Sequence, residues 1–116
     1  MEYQLVSKLI TDVLLEKISV GQALSQFPKS KDINIKCAFD ALVHYEADEE
    51  YRLKVKDYAR LQDDYLEYIA DTLAKGEQLP QNIINRYQKY NKDEYIPENK
   101  KSLKSKLSYL MKMINF

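Results

Sequence analysis

The chain has 116 residues, 45% hydrophobic and 31% charged, with eighteen basic side chains balanced by eighteen acidic ones. That length suits one domain over residues 1–116 with a core of its own, and the charge balance excludes the strongly basic field of a dedicated nucleic-acid binder. Two glycines and three prolines are too few for an all-β fold with many tight turns, so the expected class is all-α, a compact bundle of five or six helices.

In chain order, the first predicted helix runs from Glu2 to Lys17, where Leu5, Val6, Leu9, Ile10, Val13 and Leu14 repeat with a helical period. Ser19 is the expected N-cap of a short second helix, Val20 to Gln26, which Pro28 ends. A third helix is expected from about Asp32 to Ala47, with Ile35, Ala38, Phe39, Leu42 and Tyr45 on one face. The fourth starts at Asp48 or Leu53 and reaches Lys75, and its stripe is Tyr58, Leu61, Tyr65, Tyr68, Ile69, Thr72 and Leu73.

No glycine or proline interrupts Phe39 to Lys75, yet a rod of that length, at about 1.5 Å per residue, outreaches so small a domain. A break is therefore expected near Ala47–Leu53, with Asp48 as the new cap. The resulting antiparallel pair, about 32–47 and 53–75, is the expected spine of the bundle. Gly76 is a stop signal, because glycine tolerates the left-handed backbone that closes a helix. A fifth helix follows from Pro80 to Tyr90, then a polar connection over Asn91–Ile96, then a last helix opened by Pro97. That last helix carries Leu103, Leu107, Leu110 and Ile114 on one face and five lysines around them.

Four groups of residues are candidates for function. Asp40, His44 and Asp48 step by four and share one helix face, so a carboxylate could orient the only imidazole as a base or a ligand. With no second histidine, an interhelical or surface role is the simpler expectation. Glu46 and Glu49 are three apart, as are Asp64 and Glu67. Such pairs on adjacent helices could hold Mg²⁺ and carry a phosphate substrate, which makes a divalent-metal-dependent phosphohydrolase one alternative function. The same spacing also arises on any solvated helix face. Tyr51, Tyr58 and Tyr65 recur at sevens with Tyr68 beside them, a seam suited either to the bundle's own packing or to a partner. The C-terminal lysines could touch phosphates, so weak nucleic-acid binding is a second alternative. Arginine, the usual reader of base edges, is absent from that segment.

There is no glycine-rich phosphate loop, zinc pattern or nucleophile elbow. Cys37, the single cysteine, lies in an apolar run and reads as a buried thiol. The first residues lack the pattern of a signal peptide and no apolar run reaches membrane-spanning length. The expectation is a cytoplasmic protein-interaction or regulatory module without a cofactor, acting through a partner protein or as a homodimer, with Tyr51, Tyr58, Tyr65 and Tyr68 as its contact residues.

Overall fold

A computed structural model describes residues 2–95, with side chains through Lys89. These residues form six helices and no strand: α1 (Glu2–Leu14), α2 (Val20–Ser25), α3 (Ile33–Ala47), α4 (Glu49–Lys54), α5 (Lys56–Ala74) and α6 (Gln81–Tyr95). The all-α bundle stands as expected. The last helix anticipated from Pro97, and with it the lysine-rich face, lies outside the described residues.

α1 buries Val6, Leu9, Ile10 and Val13, four of the six residues in its periodic set, while Leu5 stays partly in water. It ends at Leu14, earlier than Lys17, because Glu16 turns left-handed at φ 62°. Glu16 N–H donates to Val13 O (2.9 Å) and Lys17 N–H to Asp12 O (2.8 Å), the paired closing bonds of a Schellman motif. α5 closes in the same way at Gly76, φ 75°, with Gly76 N–H on Leu73 O (2.9 Å) and Glu77 N–H on Thr72 O (3.2 Å).

The helix starts follow local chemistry. Ser19 caps α2 reciprocally: its hydroxyl accepts from Gln22 N–H at 3.0 Å and its own N–H donates to Gln22 Oε1 at 2.8 Å. Asp32 caps α3 by accepting from Asn34 N–H at 2.7 Å, and its second oxygen accepts from the Tyr3 hydroxyl at 2.8 Å, tying α3 to α1. Partial desolvation opposes ionisation there, but the bonds from Tyr3 and Asn34 hold the Asp32 carboxyl below its ordinary range. Pro80 stands just before α6, not within it, and its carbonyl takes the first helical bonds from Ile83 and Ile84. α6 continues as helix through Tyr95, across residues expected to form a connection. No glycine or proline lies between Pro80 and Pro97 to break it.

α5 lies at the centre. Ser7 Oγ donates to Ala70 O at 2.7 Å, and Gln4 Nε2 to Ala74 O at 3.5 Å, so residue numbers rise along α1 as they fall along α5. This antiparallel pair is the most extensive in the bundle, and α3 is a second, lighter neighbour of α5. The spine of the fold is thus α1 with α5, flanked by α3. On the far side, Asn34 Oδ1 is buried and accepts from Leu79 N–H at 2.7 Å, which pins the α5–α6 loop to the start of α3.

Two outcomes are expected from the helix ends. Glu16→Gly relieves a left-handed residue that carries a side chain and should stabilise the fold by about 0.5–1 kcal/mol, read as a higher midpoint in urea. Asp32→Ala should destabilise by about 1 kcal/mol at pH 7 through loss of the cap. Because the folded-state pKa of Asp32 is lowered, its contribution is present above the unfolded value near 3.9 and fades as pH falls through the folded one. Urea titrations of both proteins should therefore converge as the pH drops below about 4.

Candidate functional site

The chain reverses between α3 and α5, and the bonds across the pair fix their relation. Tyr45 Oη donates to Asp63 Oδ1 at 3.2 Å and Gln62 Nε2 donates to Asp48 Oδ2 at 3.0 Å. α5 turns one stripe inward, with Tyr58, Gln62, Leu66, Ile69, Ala70 and Leu73 all buried. A second stripe at offsets of four and three, Leu61, Tyr65 and Tyr68, is left on its flank. Together with Ala41 and His44 of α3 and Arg86 of α6, that flank encloses a groove of about 410 Å³ among the described residues. This volume is within the range of ordinary ligand pockets. Leu61 is 56% exposed and Tyr68 48% exposed, while Tyr65 is half-buried.

A smaller recess of about 40 Å³ continues inward past His44, Tyr65 and Arg86 to Cys37, Asp40 and Tyr87. His44 is buried with Nε2 3.2 Å from Asp40 Oδ2, the partner expected from their spacing. Cys37 and His44 border the same recess, but the thiol faces Ile83 O at 3.9 Å. Burial, and secondarily the Asp40 charge, pushes its pKa up to about 12, so it is a protonated packing group and not a nucleophile. Burial also lifts the Tyr65 phenol to about 12; the Cys37 and Asp40 charges add to that rise and Arg86 opposes it. Cys37 and Tyr65 are therefore neutral walls near pH 7.

The third member of the expected histidine face behaves differently. Asp48 is 1% exposed and does not cap α4: its side chain makes no bond to that helix's N–H groups. It accepts from the Tyr58 hydroxyl at 2.5 Å and from Gln62, and Oδ1 is buried with no hydrogen-bond partner among the described residues. Arg52 completes this network. Its Nη1 donates to Gln62 Oε1 at 3.1 Å and to the Tyr45 carbonyl, and its guanidinium lies 3.6 Å from the centre of the Tyr45 ring. Burial, followed by the bond to Asp48 and the Asp48 charge, raises the Tyr58 pKa well above its ordinary value.

The sequence-derived candidates separate in space. Tyr58 is 6% exposed, and Tyr51 packs edge-to-face on it with ring centres 4.5 Å apart. Tyr65 and Tyr68 belong to the groove. Glu46, Glu49, Asp64 and Glu67 are all exposed, and Asp64 alone reaches the groove. Among the described residues, no group of three or more His, Cys, Asp or Glu side chains is placed to hold a metal ion, and no helix is long and apolar enough to cross a membrane. Sequence reasoning did not single out Arg52, Gln62 or Arg86. Gln62 carried one usable signal, a polar residue four after Tyr58 and four before Leu66 on a buried stripe.

If Cys37 is the inert wall that its surroundings make it, a thiol reagent should label it no faster than the protein unfolds. Labelling with and without urea, followed by mass spectrometry, checks this. The chain matches no family model, and no curated protein or solved structure is significantly similar to it.

Proposed function

We propose that this is a cytoplasmic interaction module, without catalysis of its own, that takes the apolar side chains of a partner protein into the groove between α3, α5 and α6. The observation that carries the reading is the pairing of Leu61 and Tyr68. Large side chains exposed seven residues apart on one helix flank the mouth of a cavity. Apolar surface left in water beside a concave site supports partner contact, and tyrosine combines contact area with a polar tip. A groove walled by helices suits an amphipathic helix that inserts residues at three- and four-residue spacing. The buried, protonated thiol is compatible with a reducing compartment.

Selection of random displayed peptides on the immobilised protein tests this, with Leu61→Glu/Tyr68→Glu as the counter-target. Both positions are exposed, so the variant should keep the wild-type helicity and melting temperature. The expected result is enrichment of peptides with helically spaced apolar residues that lose at least about tenfold in affinity for the variant. Failure to enrich any peptide, or equal binding to both proteins, overturns the reading.

A further inference from the structure

From Ile33 to Ala74 the chain contains no glycine or proline, yet it folds back on itself. The two interruptions are slight. Asp48 N–H still donates to His44 O at 3.0 Å and Arg52 N–H to Asp48 O at 2.9 Å. Further on, Val55 N–H donates to Tyr51 O at 2.9 Å and Ala59 N–H to Val55 O at 3.1 Å. Asp48 sits at φ −96°, ψ 13° and Val55 at φ −124°, ψ 103°. Resetting a few such angles would make residues 33–74 one helix about 63 Å long at 1.5 Å per residue.

Side chains, not backbone chemistry, hold the corner closed. The Arg52 guanidinium occupies the Tyr45 carbonyl, the acceptor that Glu49 N–H would use in an unbroken helix. Gln62 bridges Arg52 to Asp48, and one Asp48 oxygen is buried with no hydrogen bond among the described residues. α4 itself buries no residue, and its Leu53 is already 78% exposed. Straightening therefore gives up little apolar contact from α4 beyond the packing of Tyr51 on Tyr58.

We propose that this corner is a hinge through which two copies of the chain exchange α5 and α6. α1 to α3 precede the hinge and α5 and α6 follow it, so the antiparallel seam of α1 and α5 can form between copies as well as within one. The bonds Ser7 to Ala70 and Leu79 to Asn34 re-form across the dimer with the same geometry. The partner is a second copy of this chain, because only that chain carries the complementary faces. Arg52 sets the balance: with its clamp made, the closed monomer is favoured, and with the clamp removed, the continuous helix and the exchanged dimer are favoured.

The test is to refold the wild type and Arg52→Ala at low and at high protein concentration and measure mass by chromatography with light scattering. The variant should show at least a tenfold larger dimer-to-monomer ratio. In a mixed sample of labelled and unlabelled chains, isotope-filtered NMR should show contacts between α1 of one copy and α5 of the other. Adding Val55→Gly, which disfavours a helical backbone at a position that is extended in the closed corner, should return the dimer to monomer. Should Arg52→Ala not fold, Arg52→Lys, which cannot make the planar stack with two directed bonds, should shift the ratio in the same direction. A folded Arg52 variant that stays monomeric at every concentration overturns the proposal. So does a dimer that lacks contacts between α1 and α5 of different copies, or one that Leu61→Glu/Tyr68→Glu dissociates, since that would be docking through the groove.

Discussion

Arg52 donates to the carbonyl of Tyr45, an acceptor that the amide of Glu49 would take in an uninterrupted helix, and the placement of α5 and α6 depends on that substitution. A helix normally satisfies its own carbonyls, so a side chain that captures one both breaks the ladder and compensates the break. The guanidinium does this while stacked on the Tyr45 ring, which shields it, and while bonded to Gln62, which connects it to α5. The corner is in this sense tertiary: part of what makes α4 leave the line of α3 is a residue on α5.

Once reversed, α5 serves two surfaces. Its inward stripe completes the core with α1 and α3, and its flank at Leu61, Tyr65 and Tyr68 forms one wall of the groove. The seven-residue recurrence of Tyr51, Tyr58 and Tyr65 therefore does not describe a single face. Tyr58 supports the corner through Asp48, Tyr51 packs on Tyr58, and Tyr65 lines the groove. Burial acts in the same direction at Cys37, Tyr58 and Tyr65, raising the pKa of each and keeping it neutral. The groove walls are thereby suited to contact and shape, with charge supplied at their edges by Arg86 and Asp64.

Features with local causes were legible in the sequence. Ser19, Asp32 and Gly76 act at helix ends through their own side chains or backbone freedom, and the buried members of α1 follow from period alone. The inward residues Leu66 and Ala70 and the outward Leu61 and Tyr68 were harder to assign. α5 has apolar residues over more than half its circumference, and only the position of α1 decides which of them face inward. The sequence pointed to a break near Ala47–Leu53 from length. It did not reveal that Asp48 would be turned into the protein, nor that a second break would come at Val55. Both depend on Arg52 and Gln62 meeting across the reversed chain, which no local window contains. The candidate groove was half visible for a similar reason, with its tyrosines apparent on one helix and Arg86 brought in from another.

The bond from Ser7 to Ala70 joins residues 63 apart in sequence, and it belongs to the most extensively packed pair of helices among the described residues. Bundles whose neighbours in space are also neighbours in sequence close short loops and fold quickly, whereas this one must bring its first and fifth helices together across everything between them. α2, α3 and the corner thus form the loop whose entropy is spent before the main seam can form. Closing that loop slows folding relative to a bundle whose main seam joins sequence neighbours.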